Sequence, residues 1–339
     1  MTSAGRKTKS RAKEFDLVFS FLKAPKSLSS FIQSNPKGGR PEIEGITFEY
    51  GDITRHLKYL NPSKLKNPFD IVPKFVCHLD NVNADRKREI ENVFGLPPKS
   101  ISSHQVKADL LFVDQAGNPF FISVKDIDEP SKLGQVSREI QYGKASLRGG
   151  LNGVDLPQDL FPPQITYRQT SLIEKRFNNL TVSDQRFSYF KKNHKADWKI
   201  IVDESKRHAL EQARQFAQVM KDDRESLIEF LGTTLAGNLQ RSKDFYLLFG
   251  NKVVNFTDAM DVLKTKSFEI KIEEHRPRLK TSLIVWLIDE QKRYGITKIE
   301  PSFEGEGVNV DQTKGIIFHF QQHGDEKNSY KDLLLDISK

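Results

Sequence analysis

Apolar and polar positions change period several times along the chain. Between Phe15 and Phe31, the residues Phe15, Val18, Phe19, Phe21, Leu22, Leu28 and Phe31 recur at roughly helical spacing, and Pro25 interrupts them. One helix or two should therefore open the folded part. Residues 34–70, rich in Pro, Gly and Lys, read as loops with one short strand at Ile46 to Tyr50. Asn83 to Phe94 predicts a short helix with Asn83 as its N-cap and Gly95-Leu96-Pro97 as its stop, burying Ile90, Val93 and Phe94. Two strand-like runs follow, Ala108 to Asp114 and Phe120 to Lys125, joined by the turn sequence Gln115-Ala116-Gly117-Asn118-Pro119. They predict an antiparallel hairpin. Folded symmetrically about Gly117, it puts Asp109 directly across from Lys125, with Ser123 on the face of Lys125.

Beyond the hairpin, Pro130 and Ser131 should start a second helix reaching about Leu147, with Leu133, Val136, Ile140 and Leu147 as its apolar stripe. On that helix Gln135, Arg138, Glu139 and Tyr142 fall at i, i+3, i+4 and i+7 and share a polar face. Residues 149–170 read as a long loop, Trp198 to Val202 as a strand, and Lys206 to about Leu239 as one or two helices. Phe245 to Phe256 suggests another hairpin around Gly250-Asn251, followed by a short helix near Asp258 to Leu263. Strands are expected at 267–273, 282–288 and 315–320, although 282–294 fits a helical period equally well. The mixture is that of an α/β chain. It divides into a basic tail (1–13), an N-terminal helical and loop segment (14–70), a core (71–205) and an α+β C-terminal region (206–339).

Charge and composition narrow the classes. Lys and Arg number 53 against 45 acids, a formal net charge of +8, which suits a polyanionic partner. Arg6, Lys7, Lys9, Arg11 and Lys13 give the tail a disorder-prone composition. No apolar run approaches the ~20 residues that span a bilayer, and the first residues lack a signal-like segment, so a cytoplasmic chain with no membrane partner is expected. The single cysteine, Cys77, excludes an internal disulfide and a multi-cysteine zinc site.

The hairpin carries chemistry. Hydrolysing a phosphodiester needs an activated water, neutralisation of charge on phosphorus and a stabilised leaving oxygen, and hard divalent cations held by carboxylates provide much of this. Asp109 at a strand end suits such a ligand, Lys125 can acidify a water or brace a phosphate oxygen, and the main-chain carbonyl of Val124 offers a third ligand. A strand Asp facing a strand Lys is also what a plain cross-strand ion pair looks like.

Asp109 followed by Ser123-Val124-Lys125 resembles the motif of the PD-(D/E)XK nuclease superfamily, in which a strand-end Asp faces an acid-X-Lys tripeptide on the next strand. Ala108 stands where that motif has Pro, and Ser123 where it has the acid. CCGG-recognising restriction endonucleases are similar in pairing Ser-X-Lys with a Glu relocated to the following helix. Glu139 matches that acid, and the relocation alone is carried over. The superfamily also often uses a Glu from a helix before the hairpin, for which Glu89 and Glu91 are candidates, Glu89 being favoured.

The resemblance covers roughly residues 83–147 and implies a restriction-endonuclease-like core with a mixed central sheet flanked by helices. It implies a type II restriction endonuclease: a magnesium-dependent enzyme cutting double-stranded DNA as a homodimer, with a cognate DNA methyltransferase protecting the same site. In that reading Asp109 and Glu139 hold magnesium with Val124 and Glu89, Lys125 orients the water, and Ser123 supports them. DNA contacts are expected from Gln135, Arg138 and Tyr142. Others should come from the aromatic and basic run holding Lys191, Lys192 and Lys195, and from Arg276 and Arg278. Two other readings stay open: a non-catalytic DNA-binding protein on a decayed nuclease fold, and a repair, recombination or transposon nuclease with the same core.

Overall fold

A computed structural model describes residues 3–62, 66–69, 71–101, 106–125, 132–141, 147–148, 192–193, 195–237, 244–275, 282–290, 292–303, 314–323 and 328–339. Its helices are α1 (Ser3–Ser20), α2 (Pro25–Ser34), α3 (Ala84–Val93), α4 (Lys195–Asp222), α5 (Arg224–Ala236), α6 (Phe256–Thr265) and α7 (Tyr330–Ile337). The strands begin with β1 (Glu42–Ile43), β2 (Ile46–Glu49), β3 (Pro73–His78), β4 (Leu110–Asp114), β5 (Pro119–Lys125), β6 (Lys132–Gln141) and β7 (Leu147–Arg148). They continue with β8 (Asp244–Phe249), β9 (Lys252–Asn255), β10 (Glu269–His275), β11 (Ser282–Asp289), β12 (Lys292–Phe303) and β13 (Lys314–His323). Two compact units result, one from residues 1–131, 235–265 and 334–339, the other from 132–234 and 266–333. Neither unit is a single stretch of chain.

The first unit is α/β. Its seven-stranded mixed sheet has the order β1-β2-β3-β4-β5-β8-β9, with β2–β3 and β5–β8 parallel and the other pairs antiparallel. Side chains alternate between its faces. On one face Phe48, Val76, Phe112, Phe120 and Ile122 meet Phe15, Val18, Phe19, Leu28 and Ile32 of α1 and α2 in one buried cluster. Phe112 anchors it, edge-on to Phe21 at 4.9 Å and to Phe120 at 5.7 Å between ring centroids. The other face carries Phe75, Cys77, Leu111, Phe121 and Ser123. Burial pushes the Cys77 thiol's pKa up, so this cysteine is chemically quiet.

Local signals account for the element ends. Pro25 occupies the first turn of α2, where its missing N–H costs nothing. The Asn83 side chain accepts the Arg86 N–H at 2.9 Å and caps α3, and Gly95 follows that helix with φ +62°. The hairpin of β8 and β9 turns at Gly250, φ +60°.

The second unit is built on an antiparallel sheet of order β10-β11-β12-β13-β6-β7, against which α4 packs. The Trp286 ring lies against Gly295, where an added Cβ would come within 3.2 Å of it, and Arg293 covers the ring at 3.8 Å.

Four expectations fail, the first being the burial of Val93, which is 67% exposed because α3 turns Ile90 and Glu91 inward instead. The tail expected to be disordered over 1–13 is helical from Ser3, because α1 continues backwards from a buried stripe through Lys, Arg and Ala, which are good helix formers. Trp198 to Val202 lies inside the 28-residue α4, where packing of a long helix on a sheet overrides the β preference of Ile200, Ile201 and Val202. Residues 132–141 are strand β6 and not the start of a helix, held by ladders to β13 and β7. The 282–294 ambiguity resolves into β11 and the start of β12. Among the described residues no helix is long and apolar enough to cross a membrane.

Candidate active site

The β4–β5 hairpin forms with Leu110 opposite Ile122 and Phe112 opposite Phe120. The register is two residues from the symmetric pairing, so Asp109, just before the ladder, is not across from Lys125. The turn sets this register. Asp114 donates its N–H to the Asn118 carbonyl at 3.0 Å, Gly117 donates to the Asp114 carbonyl at 3.1 Å, and the Asp114 carboxylate accepts the Asn118 N–H at 2.8 Å. An even shift leaves every side chain on its face, so Asp109, Ser123 and Lys125 still share one.

Asp109 is fixed at both its backbone and its carboxylate. Its N–H donates to Ile122 at 2.9 Å, and its carbonyl accepts from Leu79 at 2.9 Å. Its Oδ2 accepts the Ser123 hydroxyl at 3.0 Å and the Val124 N–H at 2.7 Å. Because β4 is antiparallel to β3 and β5, the end of β3 (His78), the residue before β4 (Asp109) and the end of β5 (Lys125) gather at one end of the sheet.

Helix α1 brings Glu14 to that end. The Glu14 carboxylate pairs with His78 Nε2, both side chains being buried, and the Phe15 ring stacks on the imidazole at 4.9 Å. Burial, with the Glu14 charge next and Asp80 adding to it, pushes the Asp109 carboxyl up to about 7; Lys125 and the Val124 N–H pull the other way. Burial lowers the Lys125 pKa while the carboxylates of Asp109 and Glu14 hold it up. Lys107 comes down to about 8, through burial and then the charge of Lys125. Two carboxylates and two ammonium groups thus share a half-buried site in which like charges repel.

Of the residues singled out from sequence, the structure brings Asp109, Ser123, Val124 and Lys125 together. Glu89 lies on α3, paired with Arg86 at 2.5 Å, in a groove lined by the opposite ends of β3 and β4. Glu91 is buried and accepts the N–H groups of Lys99 at 2.7 Å and Ile101 at 2.8 Å, a structural role. Glu139, Gln135 and Arg138 sit on β6 of the second unit. The helix on which Glu139 was to replace the missing acid is a strand, so the relocation loses its premise. Lys192 and Lys195 are exposed in the second unit at and just before the start of α4. Tyr142, Lys191, Arg276 and Arg278 lie outside the described residues.

Sequence reasoning missed Glu14, His78 and Lys107. A signal for Glu14 was present: four residues before Val18 and one before Phe15, it is a carboxylate within a buried helical stripe. Among the described residues no group of three or more His, Cys, Asp or Glu side chains is placed to hold a metal ion. No protein-family model, no curated protein and no solved structure matches this chain.

Proposed function

We propose that this chain is a magnesium-dependent phosphodiesterase acting on double-stranded DNA, with a PD-(D/E)XK-like site on a restriction-endonuclease-like core. One observation carries the reading: Asp109 is hydrogen-bonded to the Ser123-Val124-Lys125 strand end, with Lys125 on the same face and Glu14 close enough to raise its pKa. The mixed sheet of the first unit supports it. So does a Glu supplied to the site by a helix earlier in the chain: it is Glu14 of α1, and not Glu89 or Glu91 of α3, the helix just before the hairpin.

The donor set suits magnesium. Asp109 and Glu14 are hard oxygen donors whose mutual repulsion a divalent cation relieves, and magnesium retains several waters, so two carboxylates suffice. Bound there, it would polarise a water and neutralise charge on the phosphoryl group. Lys125, whose ammonium is balanced by these same carboxylates, is placed so that it would orient a water and contact the phosphate. The Ser123 hydroxyl and Val124 N–H hold the Asp109 carboxylate in place. His78 fixes Glu14 through its Nε2.

Within this class a sequence-specific type II restriction enzyme is the narrower proposal. Large unmethylated DNA incubated with the protein and magnesium should yield discrete bands. A smear would point to a nuclease without sequence preference, and intact DNA would reject catalysis. The second reading, a DNA-binding module on a decayed site, draws on Ser123 standing in the acid position and on the near-neutral Asp109. Salt-sensitive binding without any cleavage product would favour it.

A further inference from the structure

The first unit has a second concave feature, a groove of about 410 Å³ between α3 and the surface of β2, β3 and β4. That volume is within the range of small-molecule sites. Phe75 lies in its lining, and two guanidinium groups stand over the same ring, Arg40 at 5.7 Å and Arg86 at 6.0 Å from its centroid. Lys74 adds a third cation, and Ile90, Val93 and Phe94 of α3 give an apolar wall. Val93 is 67% exposed, one of two large hydrophobic side chains left open among the described residues.

The charges do not cancel inside the groove. Arg86 is matched by Glu49 at 2.7 Å and by Glu89 at 2.5 Å. Arg40 reaches Glu49 only at 3.8 Å, too far for a hydrogen bond, and its side chain is 59% exposed. Lys74 is exposed and forms no ion pair among the described residues. Three cations, Arg40, Lys74 and Arg86, thus face two carboxylates, Glu49 and Glu89, and the groove keeps one net positive charge, with the Arg40 and Lys74 side chains open beside an exposed apolar wall. A phosphate monoester is anionic and has three terminal oxygens, enough to take a bidentate pair from the Arg40 guanidinium and still accept from the Lys74 ammonium.

We infer that this groove is a binding site for a phosphate monoester with an aromatic body, of the nucleoside monophosphate class. The phosphate lies between Arg40 and Lys74, and the body rests on Val93 and Phe94. The site is separate from the Asp109 end of the sheet. Val113, in the groove, is four residues along β4 from Asp109, about 13 Å at strand rise. The inference does not depend on the nuclease reading.

Titration calorimetry of the full chain in metal-free buffer, with 2′-deoxyadenosine 5′-monophosphate, deoxyadenosine and inorganic phosphate, tests it. The nucleotide should saturate one site, and each of the other two compounds should bind at least tenfold more weakly. Arg40→Ala and Lys74→Ala, both at exposed positions, should each weaken the nucleotide about tenfold or more, whereas Asp109→Asn should leave it unchanged. Absence of saturable binding would overturn the site. So would equal binding by deoxyadenosine or phosphate, indifference to both groove variants, or loss of binding in Asp109→Asn.

Discussion

The carboxylate of Asp109 takes the hydroxyl of Ser123 at 3.0 Å, from the position where a two-acid site would set a second carboxylate. A serine there donates to Asp109 instead of repelling it. The negative partner comes from helix α1, as Glu14, and it is this charge, after burial, that pushes Asp109 upward.

That shift has a sign that can be measured. The folded-state value of about 7 lies above the ordinary one, so the folded protein holds a proton that the unfolded chain releases, and stability falls as pH rises from about 4 to about 7. Asp109→Asn should match the wild type below pH ~4 and exceed it at pH 8, by on the order of 1–3 kcal/mol. Magnesium should narrow the gap by stabilising the wild type only. Thermal unfolding across pH, with and without the cation, reads both effects; a variant less stable than wild type at pH 8 would contradict the assignment of charge.

Glu14 and Glu139 can be separated by parallel substitution. Glu14→Gln should abolish magnesium-dependent cleavage while duplex binding persists, and Glu139→Gln should retain cleavage. The reverse pattern would restore the acid to the segment after the hairpin and remove it from α1.

Lys125→Ala should reduce the cleavage rate at least a hundredfold, with little change in the dissociation constant for the duplex. Normal turnover by this variant would end the phosphodiesterase reading.

Lys107 is held beside Lys125 and two residues before Asp109. If it meets a phosphate, Lys107→Ala should weaken DNA binding uniformly across sequences and reduce the log–log salt slope by about 1. An unchanged slope in a filter-binding or anisotropy series would exclude that contact.

Glu91 should matter for folding alone. Its carboxylate closes the 99–101 loop through two backbone N–H groups. Glu91→Ala leaves the buried Ile101 N–H unmet, a loss of roughly 1–3 kcal/mol. Chemical denaturation gives the value, and cleavage per folded molecule should not change.

Much of the local structure was legible from residue order. The interrupted helix around Pro25, the capped helix at Asn83, both hairpins of the first unit and the face shared by Asp109, Ser123 and Lys125 follow from period, turn residues and alternation. These depend on neighbours within a few residues, so the sequence by itself determined them, and the shared face survived an incorrect register because a shift of two residues preserves alternation. Tertiary structure alone decided the rest. Residues 132–141 carry Leu133, Val136 and Ile140 at helical spacing, yet their partner strand is β13, more than 170 positions along the chain, so pairing and not local pattern chose the strand. Glu14 lies 95 positions before Asp109, and nothing local to either carboxylate announces the other. Packing of α1 across the sheet brings the two charges within range, and the electrostatics of the site arise from that approach.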